Sequence, residues 1–396
     1  MNNMSITKYV KSAVLNLQRE VIRDELAERT AYLRLDKNEN LHAFDDEPFE
    51  AFKRSINQEL IWGYPNLRPI YGKIAQQNGV GADQLLVANG SDVAIKAVFD
   101  ACIEPGDQVI LHSPSYFMYD IYAQLADAEL TSAPVDKDWL PDLDKMLEIA
   151  GPKAKMMVIE DPSGFVGTSI TGEQMRDLAR RLHERGILLL IDEAYLYVSS
   201  DRSEHLALIG DFDNVMIART MSKAHGMAGA RVGFLLANAE LMAQVYKCRP
   251  LYEISALSAF AAEWVLDHPE IVADFREVVA SSKAKIFGAL DAQGVQYRDT
   301  RGNFVLVHCA KTSAEELVAN LAATGILVRR PFSNSLIADW VRVSVAGPWA
   351  TRKFLEAFEK AVAEKLDDSE AGALGAPSAE APAAAASLSI CVEEKA

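Results

Sequence analysis

The chain has 396 residues, 49% hydrophobic and 24% charged, which is enough for two to three domains with sizeable cores and no disulfide staples. This ordinary mixture argues against disordered, collagen-like and membrane classes, each of which needs a strong bias over most of its length. Acids outnumber bases 56 to 40, for a net charge of −16, so a nucleic-acid partner is disfavoured: neutralising phosphates needs a basic face.

The first 24 residues mix charges with apolar residues at helical spacing (Val10, Val14, Leu15, Leu17) and lack the apolar run of a signal peptide. No stretch approaches ~20 consecutive apolar residues, so no membrane span is expected, and the four cysteines, spread far apart without a pairing pattern, make a reducing cytoplasm the default. From 56 to about 236, short β-rich runs alternate with amphipathic helical stretches, the pattern of a parallel sheet covered by helices. Strands are predicted at 85–88, 108–112, 156–160, 187–191, 214–217 and 232–236, with helices at 92–103, 116–126 and 172–185 among them. ILLLID at 187–192 is apolar on both faces, as a strand inside a parallel sheet must be. Ligands of such sheets bind beyond the carboxyl ends of the strands, so the residues just after each run are the ones to read for chemistry.

A long helical stretch from 238 to 294 follows, then strands at 303–309, 326–329 and 341–345 with helices at 313–324 and 351–365, a small α+β unit. From 367 onward Ala, Pro, Gly and Ser dominate without apolar periodicity, which predicts a disordered tail. That tail holds six acids and one base, so −5 of the charge belongs to it and −11 to the rest. The expected organisation is an N-terminal arm at 1–45, a large domain at 46–260, a small domain at 261–366 and the tail at 367–396. Cys102, Cys248, Cys309 and Cys391 are far apart and form no CxxC pair, so neither a metal site nor a disulfide framework is expected.

The segment RTMSKAHGMAGARVGF at 219–234 follows a strand directly and surrounds Lys223 with small and hydroxylated residues. A lysine held there can form a Schiff base with an aldehyde cofactor. Arg231 offers a planar fork for a phosphate, and Thr220 and Ser222 add hydroxyl donors. Upstream, Asp192 ends the most apolar strand, where an acid needs a cationic partner such as a protonated pyridine nitrogen, and Tyr195 lies within reach of the same ring. Gly90, Ser91 and Asp92 form a strand-to-helix turn with free N–H groups suited to an anion. Tyr116 can stack on an aromatic ring. Taken one at a time, each of these residues is more often a turn, a solvated loop or a core aromatic.

Together, LDKNEN at 35–40, WGYP at 62–65, NGSD at 89–92, PSYFMY at 114–119, IDEAY at 191–195, the segment at 219–234 and VRVSV at 341–345 occur in an order that resembles the histidinol-phosphate aminotransferases. These are fold-type I pyridoxal-phosphate transferases of the class I/II aminotransferases, and the resemblance covers about 30 to 365. It implies an α/β fold with a mixed, mostly parallel sheet flanked by helices and a smaller α+β C-terminal domain. It also implies pyridoxal 5'-phosphate on Lys223, Asp192 at the pyridine nitrogen, Tyr195 at the phenolic oxygen and Tyr116 on the ring. Gly90, Ser91, Asp92, Thr220, Ser222 and Arg231 would then lie at the phosphate. Tyr64 would reach that phosphate from a neighbouring subunit, so the resemblance implies a homodimer with shared sites. Arg342 would bind the substrate α-carboxylate, Arg329 the far end of the substrate, and Asn38 would belong to the substrate side. The expected activity moves an amino group between an α-amino acid and a 2-oxo acid. Decarboxylation, cyclisation or oxidation on the same cofactor is the alternative, and a catalytically silent scaffold is the competing class.

Two departures stand out. The family's P-N-N-P-T-G is Pro162-Ser163-Gly164-Phe165-Val166-Gly167 here, so an asparagine at the phenolic oxygen is replaced by Gly164. This predicts altered titration of the lysine-bound cofactor, a wider cavity, or a compensating donor such as Ser163. The proline of NENP is Leu41. Both departures point away from histidinol phosphate as the substrate. His225, although two residues from Lys223, is expected to pack, as are Trp62, Trp340 and Trp349, and Arg330 is expected to be a solvated cap.

Overall fold

The computed structural model describes residues 6–15, 17, 29–42, 44–309, 312–329 and 334–371, with side chains described between 8 and 361. A short strand β1 (Leu33–Leu35) leads into the helices α1 (Asp46–Ser55) and α2 (Arg68–Asn78), the latter closed by Gly79 in the left-handed conformation. The large sheet then builds up as β2 (Leu85–Ala88), α3 (Ser91–Cys102), β3 (Gln108–Ser113), α4 (Met118–Leu125), β4 (Glu129–Pro134) and β5 (Ala154–Glu160). It is completed by α5 (Gly172–His183), β6 (Leu188–Asp192), β7 (Val215–Thr220) and β8 (Gly233–Ala237). Helix α5 starts at a capping box in which Thr171 and Gln174 each satisfy the other's backbone N–H.

The seven strands lie in the order β2-β8-β7-β6-β5-β3-β4. β8 runs antiparallel to both its neighbours and the remaining pairs are parallel, so the sheet is mixed and mostly parallel, as expected. Strand β4 is absent from the sequence-based prediction because ELTSAP carries little apolar signal. It is an edge strand whose side chains are largely exposed. The central strands β6 and β7 are buried almost throughout, and the carboxyl ends of β3, β5, β6 and β7 meet at one edge of the sheet.

The predicted helical stretch after β8 is broken into several pieces, the longest being α6 (Ala256–Asp267) and α7 (Glu270–Ala292). Beyond it come β9 (Tyr297–Arg298), β10 (Phe304–His308), α8 (Ala314–Ala323), β11 (Ile326–Val328), β12 (Trp340–Ser344) and α9 (Pro348–Ala371). The three strands predicted here do not share a sheet. β10 pairs with β9 and β12, whereas β11 pairs in parallel with β1 from the N-terminal segment. Helix α9 carries five residues into the stretch predicted to be a disordered tail, and 372–396 lie outside the described residues. Among the described residues no helix is long and apolar enough to cross a membrane, and Cys102, Cys248 and Cys309 are free.

One apolar cluster packs α2, α5 and α6 against the sheet, and a second joins Phe275, Phe304, Phe354 and Phe358 to Tyr195, Tyr197 and Ala224. The loops after β6 and β7 are therefore clamped between two cores. Close packing on both sides is what holds their polar side chains in place.

Candidate active site

At the first turn after the sheet, Gly90 adopts φ 81° and no side chain caps the first turn of α3, so its N–H groups are left for an anion. A Cβ on Gly90 would lie 2.5 Å from Arg231 Nη2, so glycine is what lets the guanidinium reach this turn. Arg231 also approaches Asp92 Oδ2 at 3.5 Å and donates to Ser222 Oγ at 3.4 Å. Thr220 donates its hydroxyl to Ser222 Oγ at 2.9 Å, and Tyr116 donates its own to Asp92 Oδ1 at 2.9 Å. Gly90, Asp92, Tyr116, Thr220, Ser222 and Arg231, which are scattered over more than a hundred residues of sequence, thus meet in one cradle with Ser91 at the start of its helix.

Asp192, at the end of β6, is buried, and it accepts hydrogen bonds from Tyr119 Oη at 2.6 Å and from the Ala194 N–H at 3.0 Å. Among the described residues no cation pairs with it, and burial pushes its carboxyl up to about 6. Lys223, half-buried in the turn after β7, donates to the Lys37 carbonyl at 2.9 Å, and its Nζ stands 5.5 Å from the centre of the Tyr195 ring. Tyr195 accepts a hydrogen bond from Asn38 Nδ2 at 2.8 Å. Asn38, at φ 54°, is fixed in turn by Ser344, whose hydroxyl donates to its Oδ1 and accepts from its N–H, and by Asn303 Nδ2 on its carbonyl. The structure therefore places Asn38 against Tyr195.

Arg342 comes from β12 and donates to the Gly164 carbonyl at 2.6 Å and the Asp36 carbonyl at 3.0 Å, which leaves its buried Nε without a partner. Arg329 follows β11, its backbone N–H on the Arg342 carbonyl, with its side chain half-buried. Arg330 lies outside the described residues. Tyr64 does not join these groups within one chain: it is 83% exposed and stacks on Tyr252. His225 packs edge-on against Tyr197, and burial lowers it to about 4, so it is neutral near pH 7.

Two expectations need correction. Trp62 and Trp349 are exposed, at 74% and 58%, instead of packed; Trp62 ends a four-residue helix, Glu59–Trp62, none of whose residues is buried. The space at Gly164 is not a wider cavity, because a Cβ there would lie 2.9 Å from Tyr195 Cε2: the Tyr195 ring fills it. Ser163 Oγ is engaged with the N–H groups of Phe165 and Val166 in its own turn. Three site neighbours escaped sequence reasoning. Glu160 ends β5, where strand ends are to be read for chemistry, Tyr119 lies inside the PSYFMY motif, and Ser344 lies inside VRVSV. Among the described residues no cluster of His, Cys, Asp and Glu suits a metal ion.

Residues 63–370 match the family model for class I and II aminotransferases. The histidinol-phosphate aminotransferase of Symbiobacterium thermophilum is 31% identical over 332 residues, covering 84% of this chain and 91% of that protein. The enzyme of the same name from Pelodictyon phaeoclathratiforme is 31% identical over 80% of this chain and 88% of its own length. Among solved structures, histidinol-phosphate aminotransferase from Sinorhizobium meliloti, in complex with pyridoxal-5'-phosphate, superposes with a TM-score of 0.81 at 22% identity, over 91% of this chain and 100% of that one. Aspartate aminotransferase from Thermus thermophilus with maleate gives 0.75 at 20% identity, over 89% and 99%. The chain belongs to the class I and II aminotransferase family and is an enzyme that transfers amino groups.

Proposed function

We propose that Lys223, Asp192 and the Arg231 cradle form the binding site for pyridoxal 5'-phosphate, with which this aminotransferase moves an amino group between an α-amino acid and a 2-oxo acid. The observation that carries this is a complementary triad of features at one sheet edge: an amine, a buried acid without a cation, and an anion cradle. The residues fit the group, since a phosphate satisfies the uncapped α3 turn and Arg231, and a protonated ring nitrogen satisfies Asp192. Bound there, pyridoxal phosphate supplies an aldehyde and an electron-withdrawing ring that eases loss of a proton from the substrate α-carbon.

Lys223 would hold the cofactor through Nζ, joined to the aldehyde carbon with loss of water, and as a free amine would be placed to carry the proton lost from the substrate α-carbon across to that former aldehyde carbon. Asp192 keeps the ring nitrogen protonated, Tyr195 holds the phenolic oxygen with Asn38 orienting its hydroxyl, and Tyr116 covers the ring. Arg342 Nε and the guanidinium edge beside it take the substrate carboxylate, and Arg329 favours a substrate with an anionic far end. Ile61, Trp62, Tyr64, Leu251 and Tyr252 are exposed apolar residues, a patch suited to a second copy of the chain. We therefore assign a homodimer in which Tyr64 crosses to the partner's cradle. The free thiols agree with a cytoplasmic setting.

The test is spectroscopic and chemical. Protein mixed with pyridoxal phosphate should gain a visible band, and borohydride reduction followed by peptide mass mapping should place the cofactor on Lys223. Binding without modification of Lys223 would refute the assignment. Incubation with a panel of amino acids and no oxo acid should convert the cofactor stoichiometrically to its amino form. Sustained release of carbon dioxide or ammonia would favour the alternative chemistries.

A further inference from the structure

We propose that Glu160 is a further residue of this site: a neutral carboxylic acid that donates to the ring edge served by Tyr195 and so lowers the proton affinity of Lys223 Nζ once that nitrogen holds the cofactor. The inference rests on the assignment of Lys223, Asp192 and Tyr195 above.

Glu160 ends β5 and is the register partner of Asp192 on β6. In a parallel pair, partners project from the same face of strands about 4.8 Å apart, so two carboxyls leave the sheet side by side. Both are buried. Glu160 Oε1 accepts the Tyr116 N–H, and Oε2 accepts the Gly164 N–H at 3.0 Å. The position a Cβ would take on Gly164 lies 3.5 Å from Glu160 Oε2 and 3.6 Å from Tyr195 Oη. The carboxyl and the phenol therefore converge on one point beside Gly164, against which the edge of the Tyr195 ring packs, and with glycine there no side chain of residue 164 stands between the two groups.

The groups around Glu160 are Asp192 from β6, Tyr119 from α4, Tyr116 before it, Tyr195 after β6, His112 from β3 and Arg342 from β12. His112 accepts the Glu160 backbone N–H, and burial holds it near 4, so it is neutral. Arg342 is turned to two backbone carbonyls. Burial first and Asp192 second push Glu160 up to about 8, while Asp192 itself stays near 6. Two like groups sharing a dry site separate in this way, and near neutrality Asp192 carries the charge while Glu160 keeps its proton. Besides accepting two N–H bonds, the protonated acid has an O–H to donate. A donor at the phenolic oxygen withdraws electron density from the ring and from the nitrogen conjugated with it.

Wild type, Glu160→Gln and Glu160→Leu, each loaded with pyridoxal phosphate, are titrated by visible absorption, with melting of the cofactor-free proteins alongside. Glu160→Leu should raise the midpoint by roughly half to one pH unit, and Glu160→Gln, which keeps a donor, should stay within roughly a few tenths. A residue that only buttresses the Tyr116 and Gly164 backbone would alter melting and leave both midpoints in place, which would overturn the inference. A Gln midpoint lowered by about a unit or more would also overturn it, since the native group would then be a carboxylate. If the leucine variant does not fold, Glu160→Met takes its place, since it also fills the site without offering a donor and should raise the midpoint in the same way; an unmoved midpoint in it overturns the inference. A visible band that survives Lys223→Ala overturns the Lys223 assignment and this inference together, whereas a Lys223-dependent band indifferent to Glu160 overturns the inference only.

Discussion

Replacing Asp192 by Asn should make the cofactor-free protein more stable while disabling its cofactor site. Asp192 is buried and cation-free, and burial moves its carboxyl from 3.8 to about 6. An acid whose folded value is raised binds its proton more tightly folded than unfolded, so stability is lost as pH rises from about 4 to about 6. Two units at 1.36 kcal/mol each amount to about 3 kcal/mol at neutral pH. The swap is close to isosteric: Oδ1 still accepts from Ala194, and the Tyr119 hydroxyl can reverse to accept from the new amide. Urea unfolding of cofactor-free wild type and Asp192→Asn, at fixed protein concentration because the midpoint of the proposed dimer would depend on it, gives the comparison. The stability gap should widen in the variant's favour by about 3 kcal/mol between roughly pH 4 and pH 7. Pyridoxal phosphate should then stabilise wild type far more than the variant. A gap independent of pH would refute the claim that Asp192 is an unpaired buried charge waiting for a cation.

Three further outcomes follow from single positions. Gly233→Ala would set a Cβ 2.2 Å from Ser91 N and 2.5 Å from the Gly90 carbonyl carbon. Backbone cannot yield cheaply, so about 1–3 kcal/mol of stability should be lost, and equilibrium dialysis should show weaker cofactor retention. Arg219→Met removes the partner of buried Glu193, 2.7 Å away. Urea unfolding should report a loss of about 3–5 kcal/mol, largely restored when Glu193→Gln is added, because the cost lies in the orphaned charge. Asn38→Gly should be less damaging than Asn38→Ala by roughly 1 kcal/mol despite losing the same side-chain bonds, since φ 54° suits glycine. Equal melting temperatures for the two would count against backbone strain at that residue.

The chemistry of the site was legible because its groups sit where a parallel sheet presents them. Asp192 closes an apolar run, Lys223 and Arg231 follow the next strand, and Gly90 to Asp92 opens a helix, so alternation of apolar runs and turn residues marked them as candidates, and the order of the motifs, by resemblance, gave each its expected role. The sheet's central strands were equally visible, because burial on both faces leaves an uninterrupted apolar signature. Edge strand β4 was not, since half-exposed strands need little apolar content. The pairing of β1 with β11 was not either, because a three-residue strand carries no periodicity and its partner is almost three hundred residues away.

Three-dimensional packing alone decided the rest. Local sequence shows that Glu160 and Asp192 are acids at strand ends, but only the register of β5 on β6 makes them neighbours, and burial, the charge of Asp192 on Glu160 and the hydrogen bonds Asp192 accepts together set their protonation apart. Gly164 read as a lost donor, with altered cofactor titration, a wider cavity or a compensating donor such as Ser163 as its expected consequence. In space it is the gap into which the Tyr195 ring fits, with the Glu160 carboxyl at its rim. Asn38 read as a substrate-side residue; what sequence did not show is that Ser344 and Asn303, over 260 positions away, hold it against Tyr195. Local composition and spacing determine which chemical groups the chain carries and which end of a strand each occupies. Which group faces which, and therefore its charge, depends on non-local packing and on exclusion of water, and neither is written in any short stretch of sequence.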